Sequence, residues 1–314
     1  MQNKKHSLVF FGTPEFSVVV LERLKTGGLK PDLIVTQPDR PQGRHRKLTA
    51  PPVKLWALEQ ATSCWQPERV KNEDFLSRLR TFAPDLILTA SYGQILPQSL
   101  LDIPALGCLN IHPSLLPLYR GAAPVQAAII AGETLTGVTV IEMSAGMDSG
   151  PILAQRDYPI AKDITAGELM SELAVVGADM ILDLLPAYVR GEAESREQDH
   201  SKATFAGLLT RECGNIDWSQ SARQIHNLIR GTQPWPGAYT FCNGNRIKII
   251  SATLADDSTQ SFAAAGTIVK CGDTITVAAG SGLIALKMIQ PAGGKVMPCC
   301  ECAHNYAAGT PLGQ

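Results

Sequence analysis

The chain has no apolar run approaching the roughly 18 residues of a membrane-spanning helix, which excludes an α-helical membrane protein. Its amino end, Met1-Gln2-Asn3-Lys4-Lys5-His6, is basic and runs into the apolar Ser7-Leu8-Val9-Phe10-Phe11. That stretch stops at Gly12-Thr13-Pro14-Glu15, too short for a signal core and with no small-residue cleavage site after it, so the expectation is a cytoplasmic protein. Glycine is missing where a nicotinamide or flavin site needs it: a dinucleotide fingerprint takes three glycines after the first strand, and Gly12-Thr13-Pro14-Glu15-Phe16 holds one. A second C-x-x-C pair is also lacking. Cys299-Cys300-Glu301-Cys302-Ala303-His304 offers one pair and a histidine at compressed spacing, so a thiol-rich tail helix is expected there and no metal. The remaining cysteines are scattered, as suits a reducing compartment. Charge, at 18% of residues, is ordinary for a soluble globular protein, and the net −1 says little about partners. Residues 209–314 carry eight Lys and Arg against six Asp and Glu, a mild basic excess that permits a nucleic-acid-facing carboxyl-terminal part without requiring one.

Apolar residues are plentiful, at 45% of the chain, and 314 residues suffice for two domains at roughly 150 each. Residues 7–11 read as a buried strand and 14–24 as a helix with proline near its first turn, so the chain opens with a strand-turn-helix unit. Further strands are expected at 33–36, 85–90 and 137–142, and helices at 72–82 and 124–131. Thr165-Ala166-Gly167-Glu168 is a capping box that opens a long helix towards Val189. This pattern predicts an α/β fold over 1–190: a Rossmann-like, mostly parallel sheet with helices on both faces. Residues 191–208 are charged and aperiodic, a linker. In 209–314, Ser219 is placed to cap a helix reaching Arg230. Five short strand-like runs, at 238–242, 247–252, 266–270, 274–278 and 283–289, then predict a smaller OB-like β-barrel.

The stretch from Gly107 to Pro124 carries the chemistry. Cys108-Leu109-Asn110-Ile111-His112 is an apolar run with two polar residues two apart, a spacing that puts Asn110 and His112 on one face of a strand. Pro113 removes the next ladder donor and ends it. In open α/β sheets, ligands bind at the carboxyl edge. A lone Asn or His there is ordinarily a satisfied polar strand end, but the loop Ser114-Leu115-Leu116-Pro117 that follows is apolar beside an amide and an imidazole, which is the make-up of a small-molecule pocket.

Two other segments stand out. The connection from Gln37 to Pro52 is far longer than the ~2–6 residues usual between strand and helix, and Arg40, Arg44, Arg46 and Lys47 face only Asp39 in it. It is either a solvated charged loop or an arm that neutralises phosphates. Met143-Ser144-Ala145-Gly146-Met147-Asp148-Ser149-Gly150 follows a strand. An Asp near two glycines is usually a turn-former, yet beside the Asn and His pair Asp148 completes a set of three.

The run N-I-H-P-S-L-L-P-x-Y-R-G-A-A-P resembles the core motif of the folate-dependent formyltransferases, and its R-G-A-A-P end is similar to the branch that formylates methionyl-tRNA. M-D-x-G-x-I-L from Met147 resembles the family's second signature, P-D-R-P-x-G-R through Arg44 a basic insertion of that branch, and I-D-W-S and Q-P-W-P-G its carboxyl-terminal domain. The matched motifs span almost the whole chain. The resemblance implies transfer of the formyl group of 10-formyltetrahydrofolate, a co-substrate, to the α-amine of initiator methionyl-tRNA. It implies catalytic roles for Asn110, His112 and Asp148, and a folate site lined by Ser114, Leu115, Leu116 and Pro117, with the loop at Tyr92-Gly93-Gln94-Ile95-Leu96-Pro97 near the pterin or simply in the core. It implies tRNA contacts at Arg40, Arg44 and Lys47, with Arg44 foremost at the acceptor stem, in a chain that works as a monomer away from membranes. Arg120 reads better as a structural residue than as a binding one. The same three residues would serve a formyltransferase acting on glycinamide ribonucleotide or a sugar nucleotide, or a formyl-folate hydrolase. An RNA-binding module with a silent α/β half would have no need of all three.

Overall fold

The computed structural model of the chain describes residues 6–43, 46–256 and 263–313. Two compact units emerge: Met1–Pro124 with Leu135–Pro159 and Met170–Gly207, and Val125–Thr134 with Ile160–Leu169 and Leu208–Gln314. Among the described residues no helix is long and apolar enough to cross a membrane.

In chain order, the elements up to residue 207 are β1 (Leu8–Gly12), α1 (Glu15–Thr26), β2 (Leu33–Val35), β3 (Arg40–Gln42), β4 (Lys47–Thr49), α2 (Pro52–Glu59), β5 (Ser63–Trp65), α3 (Glu73–Phe82), β6 (Leu86–Ala90), α4 (Gln98–Leu101), β7 (Cys108–His112), β8 (Arg120–Gly121), α5 (Pro124–Ala131), β9 (Leu135–Glu142), β10 (Ile152–Pro159), α6 (Ala166–Val189) and β11 (Phe205–Ala206). Seven strands form one sheet in the order β10-β9-β7-β6-β1-β2-β5. The pairs from β7 to β5 are parallel, and β9 and β10 are added antiparallel. This is the expected mostly parallel α/β sheet.

Strand alternation assigns the two faces. Val9, Phe11, Leu33, Val35, Ile87 and Cys108 meet Phe75, Leu76 and Leu79 of α3 in one core cluster. Asn72 starts that helix by accepting the Asp74 N–H, a cap of about 1 kcal/mol, and Ala83 ends it in the left-handed region. Phe10, Ile34 and Leu88, one residue out of phase, lie buried on the opposite face. There α6 lies so close to β7 that a Cβ on Gly177 would come within 2.4 Å of Ile111 Cγ2. Asn110 and His112 alternate with Ile111 and therefore point to the α3 side.

Residues 191–208, expected as a linker, pack within the first unit. Arg196 exchanges backbone hydrogen bonds with Ile152, β11 pairs with β8, and Gln198 is buried. The long basic connection folds in part into a hairpin, with β3 and β4 antiparallel and Arg40 opposite Thr49.

The second unit is built on α7 (Ala222–Gly231) and on β12 (Ala238–Cys242), β13 (Asn245–Asp256), β14 (Ile268–Cys271), β15 (Ile275–Ala278), β16 (Leu283–Gln290) and β17 (Met297–Pro298), followed by the short α8 (Cys299–Cys302). The strands pair antiparallel in the order β12-β13-β16-β15-β14, with β17 on β16. The ladder does not close into the expected barrel among the described residues. Instead residues 309–313 hydrogen-bond to the edges, Leu312 N–H to Gly266 O and Gly313 N–H to Phe241 O. The helix cap is also displaced from expectation. Ser221, not Ser219, forms the capping box with Gln224, while the Ser219 hydroxyl donates to Asp217. Cys299 and Cys302 belong to this unit's core, and burial pushes the Cys299 thiol up to about 11.

Arg230 of α7 is buried. It donates to Asn227 Oδ1 at 3.0 and 2.9 Å and to the carbonyls of Ala161 and Ile164 at 3.4 and 3.3 Å, so its charge is met by four bonds. Beside it, His226 Nε2 lies 3.3 Å from Asp163. Burial holds the His226 imidazole below its ordinary range, outweighing the pull of Asp163. The native chain thus keeps His226 neutral, whereas the unfolded chain takes up a proton near pH ~6.5. Its contribution to stability is full above that pH and is lost as pH falls towards the native value. His226→Gln is expected to lessen the drop in Tm between pH 7 and pH 5; an equal drop in both proteins would contradict this.

Candidate active site

β7 is held between β6 and β9, with Thr89 opposite Asn110 and Thr139 opposite His112. Because β9 runs antiparallel, its carboxyl end lies beside Leu109, and the loop after it returns across the strand to bring Asp148 onto both polar side chains. Asn110 Nδ2 donates to Asp148 Oδ1 at 3.4 Å, and His112 Nδ1 lies 3.6 Å from Asp148 Oδ2. The three residues singled out in the sequence therefore converge in space, although 36 positions separate His112 from Asp148.

Hydrogen-bond chemistry assigns one nitrogen of the His112 ring. His112 Nε2 lies 2.9 Å from the Tyr119 carbonyl, which can only accept, so Nε2 carries a hydrogen. Nδ1 faces the carboxylate. The imidazole is 5% exposed and the carboxylate 18%, so the site has a dry floor and an open carboxylate rim. Asp148 sits at φ 46° and its Oδ2 accepts the Gly121 N–H at 2.8 Å. Gly121 itself adopts φ 112°, and a Cβ there would come within 2.6 Å of the Ala206 carbonyl, so glycine is required for the backbone to present that N–H.

The loop expected to line a pocket is partly turned inward. Ser114 is buried, and its hydroxyl donates to Leu118 O at 2.6 Å. Leu116 packs with Ile141 and Ile152. Thr139 pins this loop, donating to Ser114 O at 2.6 Å and accepting the Leu116 N–H at 3.0 Å. Leu115 and Pro117 are the half-buried members that offer surface. Tyr92 lies in the core against Phe11, with ring centroids 5.1 Å apart, while Ile95 of the same loop is exposed. Thr89, in register with Asn110, has a buried hydroxyl without a hydrogen-bond partner among the described residues, the kind of group a polar ligand satisfies.

On the hairpin, Arg40 is paired with Glu68 at 2.7 Å and Lys47 is exposed. Arg44 lies outside the described residues. Arg120 is buried, as its structural reading required. Its Nε and Nη2 donate to Gln198 Oε1 at 3.2 and 2.6 Å, and Nη2 donates to His200 Nδ1 at 2.9 Å.

Sequence reasoning missed Gly121, Thr139 and Gln198. Thr139 carried a signal, a hydroxyl at an alternating position inside an apolar strand, but threonine's β-propensity gives it an ordinary reason to be there. Gln198 carried none.

Comparisons with known proteins place the chain in a family. Residues 5–185 match the family model described as formyl transferase, and 208–307 match the formyl transferase carboxyl-terminal domain. The chain is 43% identical to the methionyl-tRNA formyltransferase of Acetivibrio thermocellus over 98% of its own length and 99% of the relative's. It is 45% identical to that of a Roseiflexus species, covering 94% of this chain and 90% of the other. In fold it is similar to the sugar 3N-formyl transferase WlaRD, solved with dTDP and 5-N-formyl-THF, at TM-score 0.65 and 17% identity, covering 90% and 98% of the two chains.

Proposed function

The chain belongs to the formyl transferase family, and from that premise we propose that it transfers the formyl group of 10-formyltetrahydrofolate to the α-amine of initiator methionyl-tRNA. The observation that carries this is the convergence of Asn110, His112 and Asp148 in a chain that is 43% identical, end to end, to a methionyl-tRNA formyltransferase. The folate supplies an activated amide carbon. A free α-amine titrates near ~8, so part of it is neutral at pH 7 and is itself the nucleophile. No covalent enzyme intermediate is needed.

What the protein must do is steady the oxygen that gains charge and pass a proton from the attacking amine to the departing nitrogen. Asn110 gives one amide hydrogen to Asp148, and the second meets the developing oxyanion. His112 handles the proton at Nδ1, since Nε2 is committed to Tyr119 O. Asp148 faces both side chains and would hold the ring and the amide towards the reacting atoms. Leu115 and Pro117 would border the folate, with Ser114 and Leu116 shaping the loop from within. The hydroxyl of Thr89 and the donor set of Asn110 and His112 fit a polar, planar ligand beside an apolar loop.

Residues 1–190 would form the catalytic domain and 209–314 a tRNA-facing one, with the chain acting as a monomer. Blocking the amine is the direct test of this chemistry. Methionyl-tRNA should accept label from formyl-folate, and N-acetylmethionyl-tRNA should not; release of formate at the same rate with either would point to hydrolysis.

The basic connection that carries Arg40, Arg44 and Lys47 is the proposed acceptor-stem contact, with Arg44 foremost. Arg44→Ala should raise KM for tRNA, leave folate binding intact and lower the slope of log affinity against log salt by about one. An unchanged KM and slope would remove this connection from the tRNA site.

A further inference from the structure

Asp148 is held twice, once by its side chain and once by its backbone, and both holds lead to the two residues of β8. The Gly121 N–H takes the carboxylate. The backbone is taken by Gln198: its Nε2 donates to Asp148 O at 2.9 Å and to Gly150 O at 2.7 Å, while its Oε1 accepts from Nε and Nη2 of Arg120. Every hydrogen-bonding hydrogen of that amide is spent, and both Gln198 and Arg120 are only 5% exposed. A buried guanidinium oriented by one amide, which in turn grips the carbonyls on either side of Ser149, makes a rigid link. Asp148 needs such a link because its φ of 46° is a conformation that a non-glycine residue keeps only when its surroundings impose it.

We infer that Gln198 is a positioning residue for formyl transfer, one that fixes residues 148–150 to Arg120 and so sets where the Asp148 carboxylate stands relative to His112 and Asn110. The inference rests on the reading of those three side chains as the reacting set. Reach matters at this site because the His112 Nδ1 to Asp148 Oδ2 separation is 3.6 Å, so a shift of a few tenths of an ångström decides whether a proton on Nδ1 is held. Gln198 touches no reacting atom and acts through the loop.

Two variants separate this role from a purely structural one. Gln198→Leu keeps the volume and removes both sets of bonds. Gln198→Glu keeps an acceptor for Arg120 and loses the donors to Asp148 O and Gly150 O. Both are expected to lower kcat by up to about 10²-fold, the scale on which small misplacements act, with KM for folate and tRNA little changed. The Gly121 amide should exchange its hydrogen faster in both. Wild-type kcat in Gln198→Glu would mean that Gln198 serves only Arg120 and would overturn the inference. So would losses that vanish once rates are expressed per folded molecule. If the wild-type chain transfers no formyl group, the functional reading fails by itself. Gly121 exchange then still decides the link: faster in both variants sustains it, and unchanged removes it.

Discussion

Asn110→Ala is expected to slow formyl transfer by about 10²–10³-fold, roughly 2.7–4 kcal/mol of barrier, with folate affinity nearly intact. The split between rate and affinity follows from where the charge appears. In the bound donor the formyl oxygen is an ordinary amide acceptor, and an extra N–H adds little. On the proposed path that oxygen becomes an oxyanion as the amine attacks, in a site where His112 is 5% exposed and solvent cannot substitute for the lost donor. The fold should tolerate the change, because β7 keeps its ladder on both sides and Asp148 keeps the Gly121 N–H. Single-turnover rates and folate titration on the same preparation check it. Weakened folate binding with normal turnover would make Asn110 a binding residue instead.

Asp148→Asn is expected to cost more, on the order of 10³–10⁴-fold in kcat, as when the carboxylate behind a catalytic imidazole is neutralised elsewhere. Three groups now face this carboxylate: the Gly121 N–H at 2.8 Å, the Asn110 amide at 3.4 Å and His112 Nδ1 at 3.6 Å. An amide in its place has one oxygen to serve them. Its NH2 must either oppose the donors of Gly121 or Asn110, or turn towards His112 Nδ1 and occupy that nitrogen's lone pair. Loss of the negative charge also removes the ion pair that a protonated His112 would make. Stability should change little, since the side chain is partly open to solvent. Kinetics with formyl-folate and methionyl-tRNA measure the loss, and a variant within tenfold of wild type would show that Asp148 only shapes the turn.

The parts of this site that were legible in the sequence rest on local rules. Asn110 and His112 share a face because a strand alternates, and Pro113 marks where the strand must stop. The capping box at Thr165 and Glu168 and the full run of α6 to Val189 were equally local. At α7 two serines lay two residues apart. The deciding signal is Gln224, three residues after Ser221, which completes a capping box that Ser219 lacks. β10 is not legible in the sequence because it is the sheet's edge, where Gln155, Arg156 and Asp157 break the apolar pattern. The gathering of Asp148, Gly121 and Gln198 is a different matter. It depends on the antiparallel return of β9 and on a polar stretch folding back on the first unit, and no local periodicity encodes either.

On the proposed function one amine, that of methionyl-tRNA, receives the formyl group. Wild-type protein would be given 10-formyltetrahydrofolate labelled in the formyl carbon, with methionyl-tRNA, glycinamide ribonucleotide, an amino-sugar nucleotide or water alone, and the label followed. N-formylmethionyl-tRNA is the expected labelled product, with no comparable turnover elsewhere. Label in glycinamide ribonucleotide, in the sugar nucleotide or in free formate, with methionyl-tRNA left unformylated, would contradict it.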